Sequence, residues 1–335
     1  MTIDSSPVST TPRTLGWPAL PLAADGLSRR ATVPTELAHK QCIEQVFVTD
    51  VALDDDHAVA RAELPRQHLY YNDGGAGYYD TLLLAEVIRQ AVEVMAHRVL
   101  NVPLSSQFVL RTVDVEVVDP GAVRAGRDVA DVVVALPLRQ VRRNGSGVPY
   151  AARGPVYCWV DGLPAVTFGG TVGFLASDTY TQLRSDSGAG SHRFPVGDAR
   201  GVPPAMVGRV LPANVLIAEP AGEPSTLAAT VVASASPVFF DRPLDHYPGM
   251  MLAEAARQLS VYALGLSGSA VADRVIVRRA VLEFVSFAEL TGPVRCRVDS
   301  WSQCSDGTET VVVAEQDGRL RSRCRFVIDH VPLDN

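Results

Sequence analysis

Lysine is almost absent. Lys40 is the only one in 335 residues, and the other cationic side chains are arginines and histidines. Such a bias reflects a GC-rich genome, so abundant arginine carries no functional meaning by itself. Cysteine is scarce too. Cys42, Cys158, Cys296, Cys304 and Cys324 make an odd count with no Cys-x-x-Cys pair, which fits buried thiols in a reducing compartment better than a disulfide framework. No stretch approaches the roughly 20 apolar residues that span a bilayer. Residues 1–35, rich in Ser, Thr and Pro, lack the apolar core of a signal peptide, so a cytoplasmic protein with a loose N-terminal tail and no membrane partner is expected. Positive charge is not in excess: the formal net charge is −7. That argues against a nucleic-acid binder while leaving room for a local basic pocket. No Gly-x-Ser-x-Gly elbow, His-Glu-x-x-His or Walker sequence occurs, and no metal or cofactor is expected.

What remains is apolar and patterned: 47% of the residues are hydrophobic. Strands are predicted at 43–51 and 58–64 around the acidic turn Asp54-Asp55-Asp56, which with His57 reads as a solvated hairpin rather than a metal site. An apolar helix follows over 81–99, then strands at 108–118, 130–138, 156–160 and 165–175. Asn144-Gly145 and Asp161-Gly162 mark turns, and Arg142-Arg143 reads as a charged hairpin tip. Residues 177–205, including Ser187-Gly188-Ala189-Gly190, read as a linker. The plan then repeats, with strands at 215–218 and 228–233, a helix over 250–264, and strands at 275–287, 294–302, 310–314 and 321–328. Leu84-Ala85-Glu86-Val87-Ile88-Arg89-Gln90 in the first helix returns as Leu252-Ala253-Glu254-Ala255-Ala256-Arg257-Gln258 in the second.

Strands, one long apolar helix, then more strands is an α+β order. A helix so apolar must be surrounded, and an antiparallel sheet wrapped round it does this. The expected fold is a double hotdog: a tail (1–35), a first hotdog domain (36–176), the linker (177–205) and a second hotdog domain (206–335).

On the first helix Glu86, Arg89, Gln90, Glu93 and His97 share one face. The second keeps Glu254, Arg257 and Gln258, with Val261 and Gly265 in the later places. Such a strip either faces a cleft or is a surface face held by Glu–Arg pairs. Pro248-Gly249 opens the second helix and leaves its first N–H groups, at Gly249 and Met250, available to a developing negative charge. In the first copy Asp80 is placed to cap.

Pro248-Gly249 through Gln258 resembles a segment of hotdog-fold hydroxyacyl carrier-protein dehydratases, which carry a catalytic His eight residues before that Pro. Here Phe240 stands there, a departure that counts against dehydration in the second copy, whereas His68 could reach a similar place in the first. A closer resemblance, over roughly residues 38–330, is to the A-factor biosynthesis (AfsA-like) family. It is carried by His39-Lys40 with Glu44 to Asp50, by Leu82 to Gln90, and by Asp241-Arg242-Pro243-Leu244-Asp245-His246-Tyr247-Pro248-Gly249-Met250. The resemblance implies an acyltransferase that moves a 3-oxoacyl group from acyl carrier protein to the hydroxyl of dihydroxyacetone phosphate, toward γ-butyrolactone or furan signals. Four base candidates follow: Glu86, Glu254, His68 and His246. A buried carboxylate is raised toward neutrality, but Arg89 and Arg257 one turn away oppose this, and histidine titrates near neutral pH. Arg89, Gln90, Arg257, Gln258, Gly249 and Met250 are the expected substrate contacts, the arginines suiting a phosphate. A hotdog thioesterase or dehydratase, or a non-catalytic acyl-binding regulator, stays open beside this reading.

Overall fold

The computed structural model describes residues 16–74, 77–185, 200–232, 238–242, 244–269 and 272–330; Ser187–Gly190, Ala233 and Pro243 lie outside the described residues. The first half runs β1 (Val48–Asp54), β2 (His57–Leu64), α1 (Thr81–Arg98), β3 (Gln107–Val117), β4 (Ala130–Pro137), β5 (Val141–Arg143), β6 (Pro149–Arg153), β7 (Val156–Val160) and β8 (Leu163–Leu175). After α2 (Ser177–Ser185) come β9 (Ile217–Ala221), β10 (Ala228–Val231), α3 (Gly249–Leu266), β11 (Val275–Phe284), β12 (Arg295–Cys304), β13 (Gly307–Gln316) and β14 (Arg319–His330).

The strands form one antiparallel sheet in the order β1-β2-β4-β7-β8-β3-β11-β14-β13-β12-β10-β9. Read inward from each edge, the two halves have the same order. They join at β3 and β11, paired from Arg279 opposite Glu116 to Glu283 opposite Thr112. Helix α1 packs on β1, β2, β3, β4 and β8 and reaches β11, while α3 packs on β9 to β14. Only Arg89 and Arg98 of α1 escape burial, which is why an 18-residue helix this apolar needs a sheet curled round it. The architecture is a double hotdog.

Local chemistry sets the element ends. Asp80 Oδ1 accepts from the Leu82 N–H at 2.8 Å and caps α1. Asp161-Gly162 (φ 50° and 79°) and Asp317-Gly318 (φ 52° and 70°) both take the left-handed conformation of a tight hairpin turn. Asp55 (φ 46°) does likewise at the tip of β1–β2, where Asp54 pairs with His57. At Gly170 (φ 147°) a Cβ would stand 2.2 Å from the Thr112 carbonyl oxygen, so only glycine lets β8 pass the register shift between Leu110 and Thr112 of β3.

Four expectations need correction. Residues 43–47 are not strand: a 3-10 turn covers Ile43–Gln45, because their backbone is held by a side chain of α1 rather than by a neighbouring strand. The β5–β6 hairpin around Asn144-Gly145 is additional to the predicted strands. The segment read as a linker opens with α2. Residues 16–35 of the expected tail are docked, with Ala24 and Leu27 buried against Val59, Val133, Ala135, Tyr157 and Trp159. Trp17 meets Tyr157 and Trp159 edge-on at 5.4 and 5.9 Å.

Candidate active site

The repeated Glu-x-x-Arg-Gln strip is buried in both helices except at Arg89, which is partly exposed. In α1, Arg89 donates from Nε and Nη2 to both Glu86 oxygens at 2.8 Å and from Nη1 to Glu93 Oε1. Lys40 Nζ lies 3.1 Å from Glu86. In α3, Arg257 donates to both Glu254 oxygens at 2.7 Å, and the corresponding second cation is Arg209, 2.7 Å from Glu254. Burial by itself would raise both carboxyls. It is outweighed by Arg89 and Lys40 at Glu86 and by Arg209 and Arg257 at Glu254, which hold both well below the usual carboxylate range. Glu86 and Glu254, expected as bases, are therefore anions fixed by two cations each. Lys40 and Arg209 were missed as partners because they are different residue types, distant in sequence from the helices.

Gln90 and Gln258 are corrected from substrate contacts to backbone clamps. Gln90 Oε1 accepts from the Phe47 N–H at 3.0 Å while its Nε2 donates to the Gln45 carbonyl at 2.8 Å. Gln258 does the same for Leu216 and Asn214 at 2.7 and 2.8 Å. Both are fully buried, so neither amide is left for a ligand.

The histidines differ. His68 Nδ1 accepts from the Tyr70 and Tyr71 N–H groups at 3.1 and 3.3 Å. Its proton then resides on Nε2, which makes His68 a hydrogen-bond donor rather than the expected base. Burial, the largest influence, pushes its pKa down. His246 Nδ1 lies 2.5 Å from Asp245 Oδ1, and Arg184 of α2 holds that carboxylate at 2.7 Å. This pairing orients the ring and leaves Nε2 outside the bond. The α3 N-terminus has no side-chain cap. At Gly249 a Cβ would lie 2.7 Å from the Phe284 ring, so glycine lets this helix start press on β11.

Two further histidines stack at the end of the α1 strip. His97 Nδ1 donates to the Val102 carbonyl at 2.8 Å. His97 Nε2 consequently accepts, at 2.8 Å, from Nε2–H of His39. Burial first, then Arg242, His97 and Arg89, push His39 down to about 3, and it is neutral at physiological pH.

Beside the strip lies a cleft of about 490 Å³, lined mainly by apolar groups such as Val92, Phe108, Leu110, Phe168 and Val172 and closed on the helix side by Arg89 and Glu93. Glu93 is 5% exposed. Its Oε2 is buried with no hydrogen-bond partner among the described residues. Burial, only partly offset by Arg89, raises its pKa to about 7. Arg242, in the segment before α3, adds positive potential at both Glu93 and His39 without an ion pair of its own among the described residues. A second cleft, of about 510 Å³, takes in Asp80 and Thr81 at the start of α1 together with Arg209 and Arg257.

Fold and strip together define a double hotdog with one chemically elaborated helix. The model of the A-factor biosynthesis hotdog domain matches residues 23–152 and 191–331, one copy per half, and the chain belongs to that family. It is similar to a 2-oxo-3-(phosphooxy)propyl 3-oxoalkanoate synthase of Streptomyces virginiae, 30% identical over 88% of this chain and 96% of the relative. A protein of the same name from Streptomyces coelicolor is 28% identical over 86% of this chain and 88% of its own. Among solved structures, a dehydratase of type I polyketide synthases covers 83% of this chain and 97% of its own at 12% identity, with a TM-score of 0.49.

Proposed function

We propose that this protein is an acyltransferase that joins a 3-oxoacyl thioester, carried on acyl carrier protein, to the free hydroxyl of dihydroxyacetone phosphate. The product is the ester that the relatives' name spells out, a 2-oxo-3-(phosphooxy)propyl 3-oxoalkanoate. The observation that carries this reading is the apolar cleft ending on a buried charged cluster, in a chain whose relatives match it over most of their length. An acyl chain suits the apolar walls, and its reacting carbonyl would then meet the α1 strip. Arg89 and Glu86 position one another and set the local potential. Arg242, half-buried and without an ion pair among the described residues, is the cation best suited to the phosphate, since Arg257 is engaged by Glu254. The Nε2–H of His68 and the uncapped amides at Gly249 and Met250 are donors for a tetrahedral oxyanion.

Mass spectrometry of the purified protein with a 3-oxoacyl carrier-protein thioester, with and without dihydroxyacetone phosphate, tests the reading. A phosphorylated ester formed only with the acceptor is expected. Free acid or an enoyl product without acceptor would assign a thioesterase or dehydratase instead. Tight acyl binding without turnover would assign a binding protein.

A further inference from the structure

The two strips match at their first three residues and diverge afterwards: where α1 has Glu93 and His97, α3 has Val261 and Gly265. Glu86 and Glu254 are each saturated by two cations and a glutamine. Glu93 is not. Arg89 holds one of its oxygens, the other has no partner among the described residues, and the residue lines the apolar cleft. A buried carboxyl oxygen without a donor calls for explanation, and a hydroxyl brought in by a substrate would supply the missing hydrogen.

We propose that Glu93 is the general base of the reaction and that proton transfer is confined to the first half, the second half supplying only binding and polarising groups. This rests on the acyl-transfer reading above. Glu93 Oε2 takes the proton of the acceptor hydroxyl as that oxygen forms a bond to the thioester carbon. The tetrahedral intermediate then collapses, the C–S bond breaks, and the protonated Glu93 returns the proton to the departing thiolate. Ester and free thiol leave, and the carboxylate is restored with no other reactant. The charged and titratable groups around Glu93 are Arg89, Glu86 and, one turn further on, His97 on its own helix, Arg242 before α3, Lys40 before β1, and Arg153 in the lining of the same cleft. Their mixed charge leaves burial as the main influence, and the carboxyl titrates near pH 7, where a base can both accept and return a proton.

The experiment compares wild type with Glu93→Gln, which preserves shape and the Arg89 contact, in ester formation from pH 5.5 to 8.5. The expected loss in kcat is about 10²- to 10⁴-fold, with KM for the thioester within about twofold. Wild-type kcat/KM should rise with pH and level off near 7, and this break should vanish in the variant. Turnover within about threefold of wild type, or an unchanged pH break, would overturn the assignment. If Glu93→Gln does not fold, Glu93→Asp serves, keeping the titration while shortening the reach. Wild type forming no ester would instead refute the acyl-transfer reading. Infrared spectroscopy of the Glu93 carboxyl, identified by wild-type-minus-variant difference, then decides separately: the band must titrate near pH 7 and shift when a 3-oxoacyl-N-acetylcysteamine thioester is added together with dihydroxyacetone phosphate. An unmoved band would end the proposal.

Discussion

Glu86 and Glu93 sit two turns apart on one helix, equally buried, with opposite electrostatics. Glu86 is bracketed by Lys40 and Arg89, so it stays ionised and favours the folded state. Its contribution is present above the unfolded pKa and is lost only as pH falls through the lower folded value. Glu93 works in the other sense. Its folded pKa of about 7 lies above the ordinary 4.5, so the native state binds more protons between those values and stability falls as pH rises through that window. A difference of this size corresponds to on the order of 3 kcal/mol above pH 7. Glu93→Gln is accordingly expected to be more stable than wild type at pH 8.5, with the advantage shrinking toward pH 5. Urea midpoints at both pH values check this, and equal midpoints at both would contradict it. At this scale the strip was legible because its first three residues repeat. The division of labour within it was not: Lys40 stands 46 residues before Glu86, and only the folded chain brings them within 3.1 Å.

At the scale of elements, the start of α1 is tied to the other half. Thr81 at the head of α1 donates to the Val277 carbonyl of β11 at 2.6 Å. Arg209, only 3% exposed, bonds the Tyr70 and Tyr71 carbonyls before α1 at 2.7 and 3.3 Å, the α1 cap Asp80 at 3.4 Å, and Glu254 within α3. One side chain thus satisfies two backbone acceptors and two carboxylates from both halves. Arg209→Leu would leave Glu254 with one cation and strip the buried carbonyls of their donor, a loss of about 3–5 kcal/mol for breaking a buried ionic network from one side. A drop in unfolding free energy of that size, read from a lower urea midpoint at unchanged slope, is expected; a loss under about 1 kcal/mol would show that Arg257 alone suffices. The helices and most strands could be read from apolar periodicity, because burial on all sides leaves so few polar residues. The β5–β6 hairpin and α2 could not. Val141–Arg143 is three residues long with two of them exposed, too short to show alternation. Helix α2 is polar, and its anchor is tertiary: Arg184 reaching Asp245 at 2.7 Å and Glu289 at 2.8 Å.

For the whole molecule, the repeat gave the double hotdog its order, but nothing in the sequence announced the β3–β11 seam. Five register pairs join the halves there, and Arg279 of β11 meets Asp114 of β3 at 2.7 Å. Backbone ladder, Thr81 and Arg209 all cross the same boundary, and the buried core runs through it as one cluster that includes Leu83 and Ile88 of α1 with Leu259 and Phe326 of the second half. Two halves so coupled gain little from unfolding separately, because opening either one would expose apolar surface and buried charge on the other. We therefore predict a single cooperative transition in urea. Tryptophan placement makes this measurable, since Trp17 and Trp159 report on the first half and Trp301 on the second. Trp301→Phe leaves a chain that reports only the first half, while Trp17→Phe with Trp159→Phe leaves one that reports only the second. Coincidence of fluorescence and circular-dichroism midpoints within each variant is the expected outcome. A first-half reporter that melts apart from the global signal would mean that the seam joins two independent domains.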